Sequence, residues 1–156
     1  MSGSLAYPWI QRLLRGAVMA FFRRVEVTGV SNVPAKGGGL VVSWHPNGLV
    51  DPGLILTRFP REIVFGARHG LFKWPLLGWL LREIGTVPIY RAIDVRGSDD
   101  ARREANRKSL AALADRVATG SFSALFPEGV SHDEPGLQEL RSGAATVLVQ
   151  IGRTRT

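Results

Sequence analysis

The sequence predicts an α/β domain with a mostly parallel central sheet flanked by helices. Short apolar runs of strand length alternate along the 156 residues with longer stretches of helical periodicity, an order typical of parallel sheets. The run 40–44 (L-V-V-S-W) is almost continuously apolar, as in a strand that is covered on both faces. The length fits one domain with a substantial core, because a chain of about 150 residues buries roughly 70% of its unfolded surface.

The first element is an amphipathic helix over residues 1–23, and the domain proper is predicted to begin at residue 24. Arg12 and Arg15 lie on this helix, and Tyr7 and Trp9 stand near its beginning, where aromatic rings favour a lipid interface. Two interpretations stay open, namely an interfacial membrane anchor and a helix packed on its own domain. The apolar positions recur at helical spacing; they are Ile10, Leu13, Leu14, Ala17, Val18, Phe21 and Phe22.

The other elements alternate regularly. Predicted strands cover residues 24–29, 40–44, 63–67, 86–90 and 122–126. Predicted helices cover residues 51–59, 99–118 and 141–151.

Local signals support these helix boundaries. Asp51 and Pro52 resemble an N-cap followed by a first-turn proline, and Ser98 or Asp99 caps the long helix. The very apolar segment 71–81 is interrupted by a proline, so a broken helix or a helix pair is predicted. Its two tryptophans belong either to the core or to a membrane contact.

Composition excludes several kinds of site. The chain has no cysteine, which rules out disulfides, a thiol nucleophile and Cys-ligated metal centres. Its three histidines show no metal-ligand spacing, so no metal is predicted. The net charge is +7, and 17 of the 20 basic residues are arginine, the side chain best suited to bidentate phosphate binding. A basic balance by itself fits nucleic acid, anionic lipid or a polyanionic small molecule.

Membrane-spanning and secretory segments are not predicted. No run of the sequence approaches the roughly 20 apolar residues that cross a bilayer. The N-terminus also lacks an apolar stretch followed by a small-residue cleavage site. Any membrane contact is therefore expected at the surface of the bilayer.

The loop after the 40–44 run carries the first candidate chemical group. His45 is suited to accept a proton near neutral pH. A carboxylate bonded to its second ring nitrogen would fix the tautomer and stabilise the cation. Asp51 follows across a Pro46-Asn47-Gly48 bend that can fold the two side chains together. The alternative is structural, with Asp51 only capping its helix and His45 only ending a strand.

Two more loops follow predicted strands. The turn F-P-E-G, residues 126–129, brings Glu128 towards the zone of His45, because ligands of parallel sheets bind beyond the strand ends. The run 131–133 (S-H-D) resembles a hydrolase triad only in its letters, since adjacent side chains point apart. Arg91 follows the 86–90 strand, where it either clamps a phosphate or lies in solvent.

Together these loops resemble those of the glycerolipid acyltransferase family, which includes glycerol-3-phosphate and lysophosphatidic acid acyltransferases. The resemblance rests on H-x-x-x-x-x-D after an apolar strand, then G-T-V-P-I-Y-R, then F-P-E-G, and it covers residues 25–145. Supporting segments are E-V-T-G-V-S-N-V-P-A-K-G before the first motif and A-R-H-G-L-F-K-W-P-L-L-G-W-L-L-R-E-I-G before the second. A glycerolphosphate acyltransferase-like fold is implied.

Two features depart from the family pattern. Most members have four residues between His and Asp, whereas five stand here. The form H-P-N-x-x-x-D-P with F-P-E-G-x-S-H-D is similar to a branch that includes glycerol-3-phosphate and dihydroxyacetone-phosphate acyltransferases. The family's fourth motif, an apolar strand with prolines, has no match in residues 152–156. The resemblance therefore implies an acyltransferase domain over residues 24–156 that is incomplete at its C-terminus.

The resemblance also implies a reaction and residue roles. An acyl group passes from acyl-CoA or acyl-carrier protein to a hydroxyl of glycerol-3-phosphate, dihydroxyacetone phosphate or lysophosphatidate, in phospholipid biosynthesis and without a cofactor. His45 is then the general base, Asp51 orients it, and Arg91 binds the phosphate of the acceptor. The other implied substrate-binding residues are Glu128, Gly129, Ser131, Asn47 and Arg68, with His132 a weaker candidate and His69 structural.

The implied enzyme works peripherally on the cytoplasmic face of a membrane, because its product is a lipid. One competing class is a catalytically inactive fragment or relative that acts as a membrane-binding module. A thioesterase that uses water as acceptor is a second. A nucleic-acid-binding domain is a third, and the sequence disfavours it because no basic stripe interleaved with aromatic residues is present.

Overall fold

The computed structural model describes residues 6–90, 98–132, 134 and 136–154. These residues form an α/β domain around a parallel sheet, as predicted. The strands are β1 (Gly39–Val42), β2 (Ile63–Arg68), β3 (Val87–Ile89) and β4 (Phe122–Leu125). The helices are α1 (Tyr7–Phe21), α2 (Val50–Arg58), α3 (Pro75–Glu83), α4 (Asp99–Ala118) and α5 (Gly143–Thr154). Short 3-10 helices cover Val30–Asn32 and His69–Lys73.

The order of the strands across the sheet is β1-β4-β2-β3, and every neighbouring pair is parallel. Val42 is in register with Leu125, and Arg68 with Ile89. The carboxyl ends of all four strands therefore meet along one edge of the sheet. The insertion of β4 between β1 and β2 places the loops that follow β1 and β4 side by side.

Alternating strand residues supply two cores, one on each face of the sheet. Phe65 and Phe122 join the core beneath α1, α2 and α3, together with Ile10 and Leu56. On the other face α4 and α5 cover the sheet. The second core contains Val64, Leu113, Ala114, Val117, Leu125, Val147 and Ile151. This three-layer arrangement explains the continuous apolar runs of the strands, because both faces are covered.

The N-terminal helix packs on its own domain along one face. Tyr7 and Ile10 are buried, the Tyr7 Oη accepts a hydrogen bond from the Ile63 N–H at 3.2 Å, and Gln11 Nε2 donates to the Leu56 carbonyl at 2.9 Å. The opposite face leaves large apolar side chains exposed, among them Trp9 at 68% and Leu13 at 73%. The helix therefore packs against its own domain on one face and exposes apolar side chains on the other.

Helix α4 has the predicted bounds and the predicted cap. The Ser98 Oγ accepts a hydrogen bond from the Ala101 N–H at 3.3 Å, and two acidic residues stand in the first turn. Both features stabilise the amino-terminal end of a helix, which has unpaired N–H groups and the positive end of the helix dipole. The segment 71–81 is a 3-10 helix followed by α3, which begins at Pro75. Trp74 and Trp79 are 64% and 50% exposed, so they are not core residues.

The predicted strand over residues 24–29 is wrong. Residues 24–29 belong to no strand of the described chain. The valines of this segment, Val25 and Val27, instead line an apolar cavity of about 350 Å³ together with Leu54 and Ile55 of α2. Alternation of apolar and polar residues predicts a strand with one covered face, but Val27 is 48% exposed and the segment pairs with no strand of the described residues.

One arginine joins three chain segments at the amino-terminal edge of the sheet. Arg61 Nη1 donates to the carbonyls of Pro34 and Gly37 at 2.9 and 2.6 Å, and Nη2 donates to that of Gly120 at 2.8 Å. Its guanidinium also lies 4.8 Å from the centre of the Phe122 ring. Arg61 therefore fixes the entrances to β1 and β4.

Arg61→Ala is expected to lower the free energy of unfolding by about 2 to 3 kcal/mol, because hydrogen bonds from a charged donor are lost and three carbonyls lose a partner. Urea denaturation of both proteins measures the difference. Lys36→Ala removes the same charge from the exposed loop nearby and should cost less than about 0.5 kcal/mol. Equal effects of the two substitutions would contradict the role assigned to Arg61.

No helix within residues 6–90, 98–132 and 136–154 is long and apolar enough to cross a bilayer.

Candidate active site

Three polar loops follow strands at the carboxyl edge of the sheet. The loop 45–51 follows β1, the F-P-E-G turn follows β4, and Arg68 and His69 stand where β2 ends. Because β1 and β4 are neighbours, the first two loops contact each other directly. This edge is where parallel α/β sheets bind their ligands.

His45 and Asp51 form the pair that the spacing predicted. The His45 Nδ1 lies 3.1 Å from the Asp51 Oδ2, and the two side chains are 14% and 16% exposed. With Nδ1–H donating to the carboxylate, Nε2 is left as the ring nitrogen that can accept a proton. A general base with an orienting carboxylate requires a contact of this kind.

Asp51 is not the N-cap of α2, contrary to one of the sequence predictions. Leu49 occupies the N-cap position, and Asp51 is the second residue of the helix. The Asp51 Oδ2 turns back and accepts the Asn47 N–H at 2.7 Å, while the Asn47 Oδ1 accepts the N–H groups of Leu49 and Val50 at 3.2 and 3.0 Å. Asn47 thus shapes the bend that brings Asp51 to His45.

Glu128 joins the two loops from below the surface. It is 1% exposed, and its Oε2 accepts the His45 backbone N–H at 3.1 Å. Its Oε1 accepts the Gln138 backbone N–H at 2.9 Å and lies 3.2 Å from the His132 Nε2. A buried carboxylate needs several donors of this kind. Glu128 therefore acts here as a positioning group for the backbone at His45, and its burial leaves it no direct access to a substrate.

The surroundings of Glu128 keep it ionised. Burial raises the pKa of the carboxyl group, but the hydrogen bonds from the Gln138 and His45 backbone N–H groups and the nearby His132 imidazole outweigh it, and the net pKa lies below the ordinary value. The stabilisation that Glu128 supplies is therefore complete above about pH 4.3, the ordinary pKa of Glu. It is lost as the pH falls towards the lower pKa of the folded state.

We expect the free energy of unfolding to fall as the pH is lowered past about 4.3, and to fall less steeply in Glu128→Gln, which has no carboxylate to protonate there. Urea denaturation across this pH range measures both slopes. Glu139→Gln, an exposed change in the same loop, should keep the slope of the wild type. A wild-type slope in Glu128→Gln would show that the ionised Glu128 does not stabilise the fold.

Two neighbours of His45 were missed or underrated from the sequence. The Phe126 ring stacks on the imidazole with centres 3.8 Å apart and an angle of 15°, which restricts the ring of His45 to one plane. His132 was only a weak candidate, yet its imidazole contacts Glu128 and lies 6.5 Å from the Trp44 ring. The apolar residue before P-E-G was a usable signal for Phe126, whereas the loop of three residues between Glu128 and His132 has no regular period that would predict their contact.

The turn that carries Glu128 depends on a glycine. Gly129 has a φ of +69°, a conformation that residues with a Cβ rarely adopt. Ser131 is exposed and lies beside Gly48, where a Cβ built on the glycine would stand 3.2 Å from the Ser131 Oγ. Close approach of the two loops thus brings Ser131 to the 45–51 loop.

The remaining predicted site residues are less tightly placed. Arg68 ends β2 at the same edge and is exposed. Arg91 lies outside the described residues, next to Tyr90 at the end of β3. The His69 ring stacks on Tyr90 with centres 4.6 Å apart, in keeping with a packing role. Within the described ranges, no group of three His, Asp or Glu side chains is arranged to hold a metal ion.

Comparisons with known proteins identify the family of this chain. The model of the Acyltransferase family matches residues 24–154. The chain is 24% identical over 131 residues to the chloroplastic 1-acyl-sn-glycerol-3-phosphate acyltransferase LPAT1 of Arabidopsis thaliana, covering 84% of this chain and 34% of that protein. It is 36% identical over 107 residues to the lyso-ornithine lipid O-acyltransferase of Rhodobacter capsulatus, covering 69% and 33%. The chain thus spans about a third of the length of these relatives.

A solved structure has the same fold. The crystal structure of the 1-acyl-sn-glycerophosphate acyltransferase PlsC from Thermotoga maritima matches with a TM-score of 0.70 and 24% identity, over 94% of this chain and 54% of that one. The structural match supports the parallel sheet and the helices around it. The family match over residues 24–154, which is most of the chain, shows that this chain belongs to the Acyltransferase family.

Proposed function

We propose that this chain transfers a fatty acyl group from a thioester to a hydroxyl group of a glycerol-phosphate acceptor, as a step of phospholipid biosynthesis. The observation that carries the proposal is the His45–Asp51 pair, held by buried Glu128 at the carboxyl edge of the sheet in a chain of this family. The acceptors proposed are glycerol-3-phosphate, dihydroxyacetone phosphate and lysophosphatidate.

The proposed reaction needs one base and a positioned acceptor. His45 Nε2 takes the proton of the acceptor hydroxyl as its oxygen attacks the thioester carbonyl, and Asp51 stabilises the imidazolium that forms. The tetrahedral intermediate then expels the thiolate, which takes the proton back from His45. A positioned general base contributes typically about 10² to 10⁴-fold, and alignment of the two substrates supplies further acceleration.

The donor is proposed to be acyl-CoA or an acyl-carrier protein, and no further cofactor takes part in these steps. Arg91 and Arg68 are the proposed partners of the acceptor's phosphate, since Arg68 stands at the same edge of the sheet as His45 and Arg91 follows the neighbouring strand. Guanidinium groups bind phosphate oxygens in pairs. Ser131, Gly129 and Asn47 are proposed to shape the pocket around the acceptor.

Contact with a membrane, on its cytoplasmic face, is part of the proposal, because the acceptor or the product is a lipid. Large apolar side chains are exposed on α1 and around α3; they are Trp9, Leu13, Met19, Phe21, Trp74, Leu76 and Trp79. Arg12 lies 5.0 Å from the centre of the Trp9 ring. Aromatic and aliphatic groups next to arginines are the mixture that interfacial binding requires.

Replacement of Trp9 and Leu13 by alanine together should weaken binding to vesicles of phosphatidylcholine and phosphatidylglycerol by about tenfold or more, since each large side chain gains about 1.5 to 3 kcal/mol when fully buried. Co-sedimentation measures the bound fraction. The double change Leu148→Ala with Val149→Ala removes comparably exposed side chains from α5 and should leave binding nearly unchanged. Equal losses would contradict a contact through α1.

The function is tested by incubating the chain with palmitoyl-CoA, vesicles and each acceptor in turn, with mass spectrometry of the lipids. The panel includes lyso-ornithine lipid, because the Rhodobacter relative is named for that acceptor. An acylated glycerol phosphate supports the proposal. Acylation of lyso-ornithine lipid alone would show that the acceptor is an ornithine lipid and not a glycerol phosphate. Thiol release without any acylated lipid would indicate a thioesterase, and no reaction with a folded chain would indicate an inactive membrane-binding relative.

A further inference from the structure

A second polar pocket lies at the far end of α2 from the catalytic pair. Its volume is about 390 Å³, within the range of small-molecule sites. Asp51 is in the first turn of α2 and Arg58 in the last, so about 10 Å of helix separates them. The lining residues come from α1 and the end of α2, and none of them belongs to the active-site loops; those that matter here are Gln11, Arg12, Arg15 and Arg58.

The pocket concentrates positive charge without acidic compensation. Arg12, Arg15 and Arg58 line it, and no Asp or Glu does. The ion pairs formed by arginine and lysine within the described ranges join other residues. Like charges gathered at the walls of a cleft raise its potential and attract an anion.

Arg58 also carries a donor that the protein itself does not use. Its Nε is buried and has no hydrogen-bond partner within the described part of the chain. The Nε is too deeply buried to meet a ligand itself, but because no acceptor of the described residues pairs with it, no hydrogen bond through Nε offsets the positive charge that Arg58 brings to the pocket. The guanidinium group binds carboxylate and phosphate oxygens through two parallel N–H groups.

The helical periodicity of α1 places this pocket next to a stripe of exposed apolar side chains on the same helix. Gln11 and Arg15 are four positions apart on the pocket face, and the hydrogen bond from Gln11 to the Leu56 carbonyl fixes α1 against α2. Trp9 and Leu13 occupy the neighbouring stripe and are exposed. A group bound in the pocket would therefore lie next to any surface that α1 contacts.

We propose that the pocket formed by Arg12, Arg15 and Arg58 binds a phosphate group, separately from the acceptor that the catalytic edge takes. The source of the phosphate is either the headgroup of an anionic lipid or a free phosphate. Both present the same oxygens to the three guanidinium groups, and they differ in whether vesicles carry the ligand.

Calorimetric titration of the full chain with inorganic phosphate tests the proposal. Saturable binding is expected, weakened about tenfold or more in Arg58→Gln and in Arg15→Gln, since each removes charge-assisted hydrogen bonds. Arg15 is exposed, so its variant serves even if Arg58→Gln fails to fold. Arg23→Gln, which removes an exposed charge outside the pocket, should bind phosphate as the wild type does.

Vesicles distinguish the two sources. The same variants are compared on phosphatidylcholine vesicles with and without phosphatidylglycerol or phosphatidate. A loss of anionic-vesicle binding in Arg58→Gln and Arg15→Gln that exceeds the loss in Arg23→Gln supports a headgroup site, and equal losses alongside pocket-dependent phosphate binding support a free phosphate. Phosphate binding that is absent, or that is unchanged in both pocket variants, would overturn the proposal.

Discussion

Asp51→Asn is expected to lower kcat for acyl transfer by about 10² to 10⁴-fold while leaving the fold intact. The Asp51 carboxylate contacts the His45 Nδ1 at 3.1 Å and accepts the Asn47 N–H at 2.7 Å. Both contacts are made by the same oxygen, Oδ2, so an amide oxygen at that position keeps both hydrogen bonds but carries no charge to stabilise the imidazolium. An amide NH₂ group at that position would instead face the Asn47 N–H and force the His45 proton onto Nε2, where the base must be free.

Steady-state rates with saturating donor and acceptor measure this loss, and circular dichroism checks the fold. Asp100→Asn, an exposed change in the first turn of α4, is the matched control and should keep the wild-type rate. A rate in Asp51→Asn within about threefold of the wild type would contradict the role of the pair, because an orienting carboxylate contributes far more.

Glu128→Gln is expected to lower kcat by about 10²-fold, although Glu128 is too deeply buried to touch a substrate. One oxygen accepts the His45 N–H and the other accepts the Gln138 N–H. An amide places its NH₂ group against one of these donors, so the loop at His45 or the loop at Gln138 must shift. Displacement of a catalytic group by about 1 Å can cost a factor of this size.

The same variant should also melt at a lower temperature, because a buried N–H group loses its acceptor. Glu139→Gln, an exposed change in the same loop, should leave both the rate and the melting temperature unchanged. An unchanged rate in a destabilised Glu128→Gln would mean that Glu128 supports the fold without positioning His45.

The fold was predictable because its signals are local. Strand runs such as 63–67 are apolar on both faces, and the start of α4 has its serine cap and acidic first turn, so single segments define these elements. The misread segment 24–29 shows the limit of such signals. Its alternating valines predict a strand, but in the tertiary structure they line an apolar pocket beside α2, and Val27 stays 48% exposed.

The site was predictable where one loop contains the whole interaction, as for His45 and Asp51 across six positions. Contacts between loops could not be read from the sequence. The order β1-β4-β2-β3 brings the turn after β4 against the loop after β1, and this alone joins Glu128 to the His45 backbone across 83 positions. The pocket formed by Arg12, Arg15 and Arg58 could not be predicted for the same reason, because its arginines come from two helices that meet only in the folded chain.

His45 is proposed to be the base of an acyl transfer. This role is tested by measuring the transfer of a radiolabelled palmitoyl group from palmitoyl-CoA to glycerol-3-phosphate, on vesicles, by the wild type and by His45→Ala. We expect labelled acylglycerol phosphate from the wild type and at least about 10²-fold less from an equally folded variant. Equal product from the two proteins, or labelled fatty acid formed without any acceptor, would contradict the claim.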